Sequence, residues 1–257
     1  MQTASSIINL FVGLLPTFLL LLLVVLIYFR GKGGNTKLVK RNLLFLEEHF
    51  GTIVEEFTEV NVSASGFTYN CVLKKPKGED DPLKYVRRMR VHFSLEDRHT
   101  LISWFLLLFK KPKDYLIIEA DPAPTKNDHI NLEIADWADL KKWDLDKLKE
   151  EWADLDDFEP KSDFSAKFFH KVNHPKALKF LYGKEPDIKR FVYNLPGLFR
   201  LSVKRKEAWG YRLAMRIGKK EQKNQLPLAR EITLRFMRGV ALTNQAIQKT
   251  PKRFLSA

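Results

Sequence analysis

The strongest pattern along the chain is a run without a single charge, residues 7–29, IINLFVGLLPTFLLLLLVVLIYF. At about 1.5 Å of helical rise per residue it reaches roughly 34 Å, enough for a hydrocarbon core of about 30 Å. Asn9 and Thr17 are its main polar members, and membrane helices tolerate a proline such as Pro16. No basic residue precedes the run and no small-residue cleavage pattern follows it. The pattern therefore predicts an uncleaved anchor rather than a signal peptide.

After the anchor the periodicities change. Residues 31–36 (GKGGNT) read as a flexible hinge, and residues 38–50 as an amphipathic helix ending at Gly51. Residues 53–62 and 67–73 read as strands around the turn Ser63-Ala64-Ser65-Gly66, with a further turn at 77–82. Residues 86–93 alternate Val86, Met89, Val91 and Phe93 with Arg87, Arg88 and Arg90, which predicts a strand with a basic outer face. Residues 95–109 predict a helix opened by Ser94 with Asp97 three residues on. Its apolar run, 101–109, is about half a membrane span and predicts a buried core helix.

Residues 115–120 and 130–134 read as a hairpin, 137–152 as a helix, and 164–183 as two short amphipathic helices broken at His174-Pro175. A helix at 187–194, a strand pair at 198–204 and 210–217, and a long basic helix at 226–248 close the chain. The sum predicts an α+β fold, one mixed, largely antiparallel sheet with helices on one side. Residues 1–30 are the short outer terminus and anchor, 31–37 the hinge, and 38–257 the domain.

Charge adds orientation. The 257 residues hold 44 Lys or Arg against 31 Asp or Glu, a formal net charge of +13 that favours anionic partners. Arg30, Lys32, Lys37, Lys40 and Arg41 follow the apolar run and nothing basic precedes it. The amino terminus is thus expected outside and everything from Arg30 onward in the cytosol. The sequon Asn61-Val62-Ser63 would then lie on the wrong side for glycosylation. Arg87, Arg88, Arg90, Arg212 and Arg216 lie on expected strands or turns. Lys204, Arg205, Lys206, Arg230, Arg235 and Arg238 are the anion-binding candidates, for RNA, a ribosome or an anionic lipid surface. A solvated basic surface accounts for the same residues equally well.

The chemistry of catalysis finds little purchase. The single cysteine, Cys71, excludes an internal disulfide framework and reads as a buried structural thiol on a strand. A phosphate-binding loop and an HExxH pair are absent, and the acidic stretch 133–163 lacks a calcium-loop pattern. His170 and His174 sit four apart, but Pro175 ends that helix, so they read as surface histidines. Asp97 with His99 reads more simply as part of a helix cap than as an acid–base pair. No catalytic, cofactor-binding or metal residue is assigned, and the chain reads as a non-enzyme.

One family shares this order of elements. It runs through Leu46-Glu47-Glu48-His49-Phe50, the Tyr69-Asn70 strand, Met89-Arg90-Val91-His92-Phe93, the helix at 97–109, the hairpin to Ile134, the helix at 139–151 and the closing helix from Pro227. In this the chain resembles the calumin family, the coiled-coil-containing subunit of the PAT complex of the multipass translocon, in a shortened, archaeal form. The resemblance implies a membrane-protein insertion chaperone or scaffold without catalytic residues. It would be held beside the Sec translocon with a small multipass subunit and nascent multipass membrane proteins as partners. It also implies a single-pass protein of the archaeal cytoplasmic membrane, or of the endoplasmic reticulum if eukaryotic. By order, residues 164–182 match the family's paired helices at the lateral gate. That makes Phe164, Phe168, Phe169, Leu178, Phe180, Leu181 and Tyr182 the partner-binding candidates. The same residues could instead fold back onto the core. The family's acidic segment before the anchor and its basic coiled coil have no counterpart here, which leaves ribosome contact without its expected route. A membrane-tethered basic module binding RNA, ribosome or anionic lipid for another purpose is the alternative.

Overall fold

A computed structural model of the chain describes residues 2–63, 65–96, 98, 100–107, 109, 114–122, 130–136, 156–157, 168–172, 175–204, 209–218 and 222–250. Its first element is a single helix, α1 (Gln2–Phe50), about 74 Å long at 1.5 Å per residue. Two different solvents act on this helix. Residues 13–26 are all exposed, whereas Asn35, Val39, Asn42, Leu46 and Phe50 are buried at helical spacing and join the domain core.

The helix runs straight through residues 31–37, where the glycines predicted a hinge. Helical glycines cost about 1 kcal/mol each against alanine. The turns on either side offset that cost: the apolar half is uniformly helical, and Asn35, held by Arg98, is fully buried. Thr36 also donates its hydroxyl to the Lys32 carbonyl, 2.9 Å away.

Among the described residues nine strands then build one sheet: β1 (Val54–Ser63), β2 (Gly66–Leu73), β3 (Val86–Ser94), β4 (Asp114–Pro122), β5 (Leu132–Asp136), β6 (Asp156–Asp157), β7 (Phe168–Val172), β8 (Leu198–Val203) and β9 (Tyr211–Ile217). They lie in the order β1-β2-β3-β4-β9-β8-β5-β7-β6, and every described pairing is antiparallel. The α+β class is therefore as expected, with no parallel component among the described strands. Gly66 shows why the first hairpin turns where it does. Its φ is +149°, and a Cβ there would sit 2.0 Å from the Phe93 carbonyl oxygen, so only glycine fits.

Helices α3 (Pro175–Lys184), α4 (Asp187–Asn194) and α5 (Gln222–Lys249) complete the domain. α5 contacts α1, α3, α4, β4 and β9, and so ties the long first helix to the sheet. Ala229, Ile232, Phe236 and Ile247 on α5 are fully buried with Leu116 and Ile118 of β4 and Leu213 and Met215 of β9 in one core.

Three expected elements differ. The hairpin of 115–120 with 130–134 does not form: β4 pairs with β3 and β9, and β5 with β8 and β7. Leu132, Glu133, Ile134 and Ala135 are consecutively buried, so β5 needs a neighbour on each edge and cover on both faces. Residues 164–183 are not two helices, because 168–172 is strand β7, paired with β5 and β6. Phe168 and Val172 are buried there, and Val172 lies opposite Leu132. His170, being on a strand, cannot share a helix face with His174, which lies outside the described residues. The expected helix at 95–109 is shorter and differently placed, as α2 (Leu101–Leu107). The expected helix at 137–152 lies outside the described residues.

Candidate membrane interface

Among the described residues, exposed large apolar side chains cluster in two places, with Leu44, Val62, Val72 and Tyr193 exposed singly elsewhere. The first is α1, the one helix among the described residues long and apolar enough to cross a membrane. Phe18, Leu20, Leu21, Leu26 and Phe29 are each more than half exposed. Of residues 13–29 only Ile27 is buried. The second place is α2, which packs against α1.

α2 was expected in the core, yet Ile102 is 75% exposed, Phe105 58%, Leu106 49% and Phe109 73%. In water each such side chain forgoes about 1.5–3 kcal/mol of burial energy. Phe105 and Phe109 meet edge to face at 5.3 Å between ring centroids, so the patch is contiguous across a helical turn. Thr100 starts the helix by accepting from the Ser103 backbone N–H at 3.2 Å, a later start than the Ser94–Asp97 reading gave. Asp97 and His99 lie outside the described residues.

Arg98 fixes this segment to α1. Its guanidinium donates to Asn35 Oδ1 at 3.0 Å, to Asp114 Oδ1 at 2.6 Å and to the Glu96 carbonyl at 3.1 Å. Asp114 also accepts from the Glu96 backbone N–H at 3.2 Å. Asn35 and Asp114 are buried at 0% and 4% exposure, which makes the clamp a structural part of the domain. Asn35 lies six residues beyond Phe29, roughly 9 Å along the helix axis. The β3–β4 connection carrying α2 is thus pinned just beyond the end of the exposed apolar run.

Part of the expected basic face is paired within the sheet. Arg88 pairs with Asp121 at 2.9 Å, and Arg90 with Glu119 at 2.5 Å. Across the sheet, Asn70, Arg90, Glu119 and Arg212 occupy successive cross-strand positions, and Arg212 approaches Glu119 at 3.8 Å. Trp209, with a φ of +61°, lies 4.6 Å from both the Arg88 and Arg90 guanidinium carbons. Arg230 donates to the His49 carbonyl at 2.6 Å and to Thr52 Oγ1 at 2.8 Å, stapling α5 to the end of α1. Arg235 pairs with Glu231 at 2.6 Å and Asp187 at 3.5 Å, and Arg238 with Glu185 at 3.4 Å. These arginines have partners within the domain and tie its helices together. Lys204 is half-buried, while Arg205 and Lys206 lie outside the described residues.

The expected gate-contact residues turn inward where they are described. Phe168 and Leu181 are buried, and Phe180 and Tyr182 pack against the core. Burial pushes the Tyr182 hydroxyl above its ordinary range. Phe164 lies outside the described residues, as do the side chains of Phe169 and Leu178. The reason is local: as part of a strand Phe168 turns inward, and α3 needs an apolar stripe to sit on α5.

The remaining chemistry is structural. Cys71 is buried and desolvation pushes its thiol up to about 12, leaving it inert as a nucleophile. Among the described residues no group of three His, Cys, Asp or Glu could hold a metal ion. Sequence reasoning missed the α2 surface. Its signal was present in the nearly unbroken apolar run 101–109 followed by Lys110, Lys111 and Lys113, a pattern with no polar helix face to meet water. No family model and no curated protein matches the chain.

Proposed function

We propose that the chain is a non-enzymatic membrane-protein insertion chaperone or scaffold working beside the Sec translocon. In this reading α1 spans the membrane once, with the amino terminus outside and the α+β domain in the cytosol. The observation that carries it is the continuity of α1, exposed and apolar over residues 13–26, core-packed from Asn35 to Phe50, with no break between. A domain that only needs to be near a membrane is served by a flexible tether. A continuous helix instead fixes height and tilt, which a scaffold for membrane-embedded partners needs. The resemblance in element order to the calumin family supports the same reading. The basic-module alternative draws less support, since Arg88, Arg90, Arg230, Arg235 and Arg238 have internal partners.

Orientation rests on the five basic residues from Arg30 to Arg41. Protease added to the cytosolic side of sealed vesicles should degrade the domain after Arg30, and a protected fragment of domain size would reverse the topology. Function is tested by purification of the full chain from native membranes in mild detergent. Recovery of the Sec channel with a small multipass subunit is expected. Nuclease-sensitive material in their place would favour the basic-module reading.

A further inference from the structure

We propose that α2 is a second membrane contact, whose exposed apolar face enters the lipid of the leaflet from which α1 emerges. This rests on the reading of α1 as a membrane span and extends it from a single helix to a two-point footing. Three observations carry it. Ile102, Phe105, Leu106 and Phe109 form an exposed apolar surface on an element that packs against α1. The Arg98 clamp sets that element's position along α1, through Asn35, roughly 9 Å past Phe29. The interfacial zone on each side of the hydrocarbon core is itself about 5–8 Å deep, so a short helix three residues from Arg98 is within reach of it.

Lipid is the occupant the geometry favours. The patch lies on an element packed against α1, whose apolar run faces lipid if α1 spans, and a short apolar helix lying in the interface is a known way to satisfy such a face. In the sequence, Lys110, Lys111 and Lys113 follow the patch, and lysine is a residue type that meets anionic headgroups. Running from Leu101 to Leu107, α2 is far too short to cross, so contact is limited to one leaflet.

The test places an environment-sensitive fluorophore on single introduced cysteines in the full chain, reconstituted in vesicles of phosphatidylcholine and phosphatidylglycerol with brominated acyl chains. Cys71 stays in place, because it is buried and its thiol is held up at about 12. Labels at Ile102→Cys and Phe109→Cys should show blue-shifted emission and strong quenching, and one at the exposed turn residue Glu79→Cys should show neither. Leu22→Cys reports the span itself, so loss of quenching there removes the membrane reading of α1 and not merely that of α2. With Leu22→Cys quenched, water-like emission at 102 and 109 would overturn the inference. So would equal quenching at 79, or labels that become shielded only in native membranes, where a protein partner would be the occupant. Co-purification with the translocon is scored separately, and its failure leaves the lipid contact standing.

Discussion

At the scale of single residues, His92 shows how the sheet holds polar groups on its outer face. Its Nδ1 lies 2.6 Å from Thr68 Oγ1 on the neighbouring strand, and the ring is half-buried. Desolvation lowers its pKa, opposed by Glu119 and reinforced by Arg90 and Arg212. A histidine with a depressed folded-state pKa binds fewer protons folded than unfolded. Its contribution is therefore intact above the ordinary histidine value, about 6.5, and is lost as pH falls from there through the lowered folded-state value. Urea unfolding of the full chain in detergent should give lower stability at acidic than at neutral pH, with a smaller difference in His92→Gln. An unchanged pH profile in that variant would remove this role. The strand position of His92 was legible from alternation. Its partner Thr68, 24 residues away, was not, because register is set by cross-strand packing and turn geometry. Cys71 was read correctly as a buried thiol, since a lone cysteine beside valine on a strand has few other places to go.

At the scale of elements, Arg98 is the residue on which the α2 connection depends. Replacing it by alanine leaves buried Asp114 without its cation and buried Asn35 without its donor. Breaking a buried pair in this way costs about 3 kcal/mol or more. Denaturant titration of Arg98→Ala should show that loss, and Arg98→Lys should recover only part of it, because one ammonium cannot replace the guanidinium fork. A loss near zero would mean that the clamp does not fix α2. Elements with clean periodicity were legible: β1 and β2, β3, β8 with β9, α4, and the closing helix α5. Those misread share a physical cause. The strand β7 carries Phe168 to Val172 (FFHKV), a run short enough to suit either helix or strand. Pairing with β5 decides it. At residues 31–37 local glycine preference pointed to a hinge, and the helical context on both sides prevailed. For α2, apolar character points to a core, yet burial depends on what lies next to a segment and not on its composition.

For the whole molecule, the apolar run and the class of fold could be read from the sequence, and the order of the sheet could not. Placing β9 and β8 between β4 and β5 is a long-range choice, made by which strand edges need partners. The same long-range packing joins α1, α5 and the sheet into one core, so the apolar half of α1 cannot pivot freely against the domain. Rigid mounting is the central claim, and pulsed electron resonance between two spin labels tests it most directly. One label goes at Leu22→Cys in the exposed apolar run and one at Tyr193→Cys on α4, both exposed sites. The full chain is reconstituted in lipid nanodiscs with Cys71 left buried. A single narrow distance distribution is expected for an unbroken helix packed into the domain. A broad distribution, of the kind a flexible linker at residues 31–37 would produce, would contradict it.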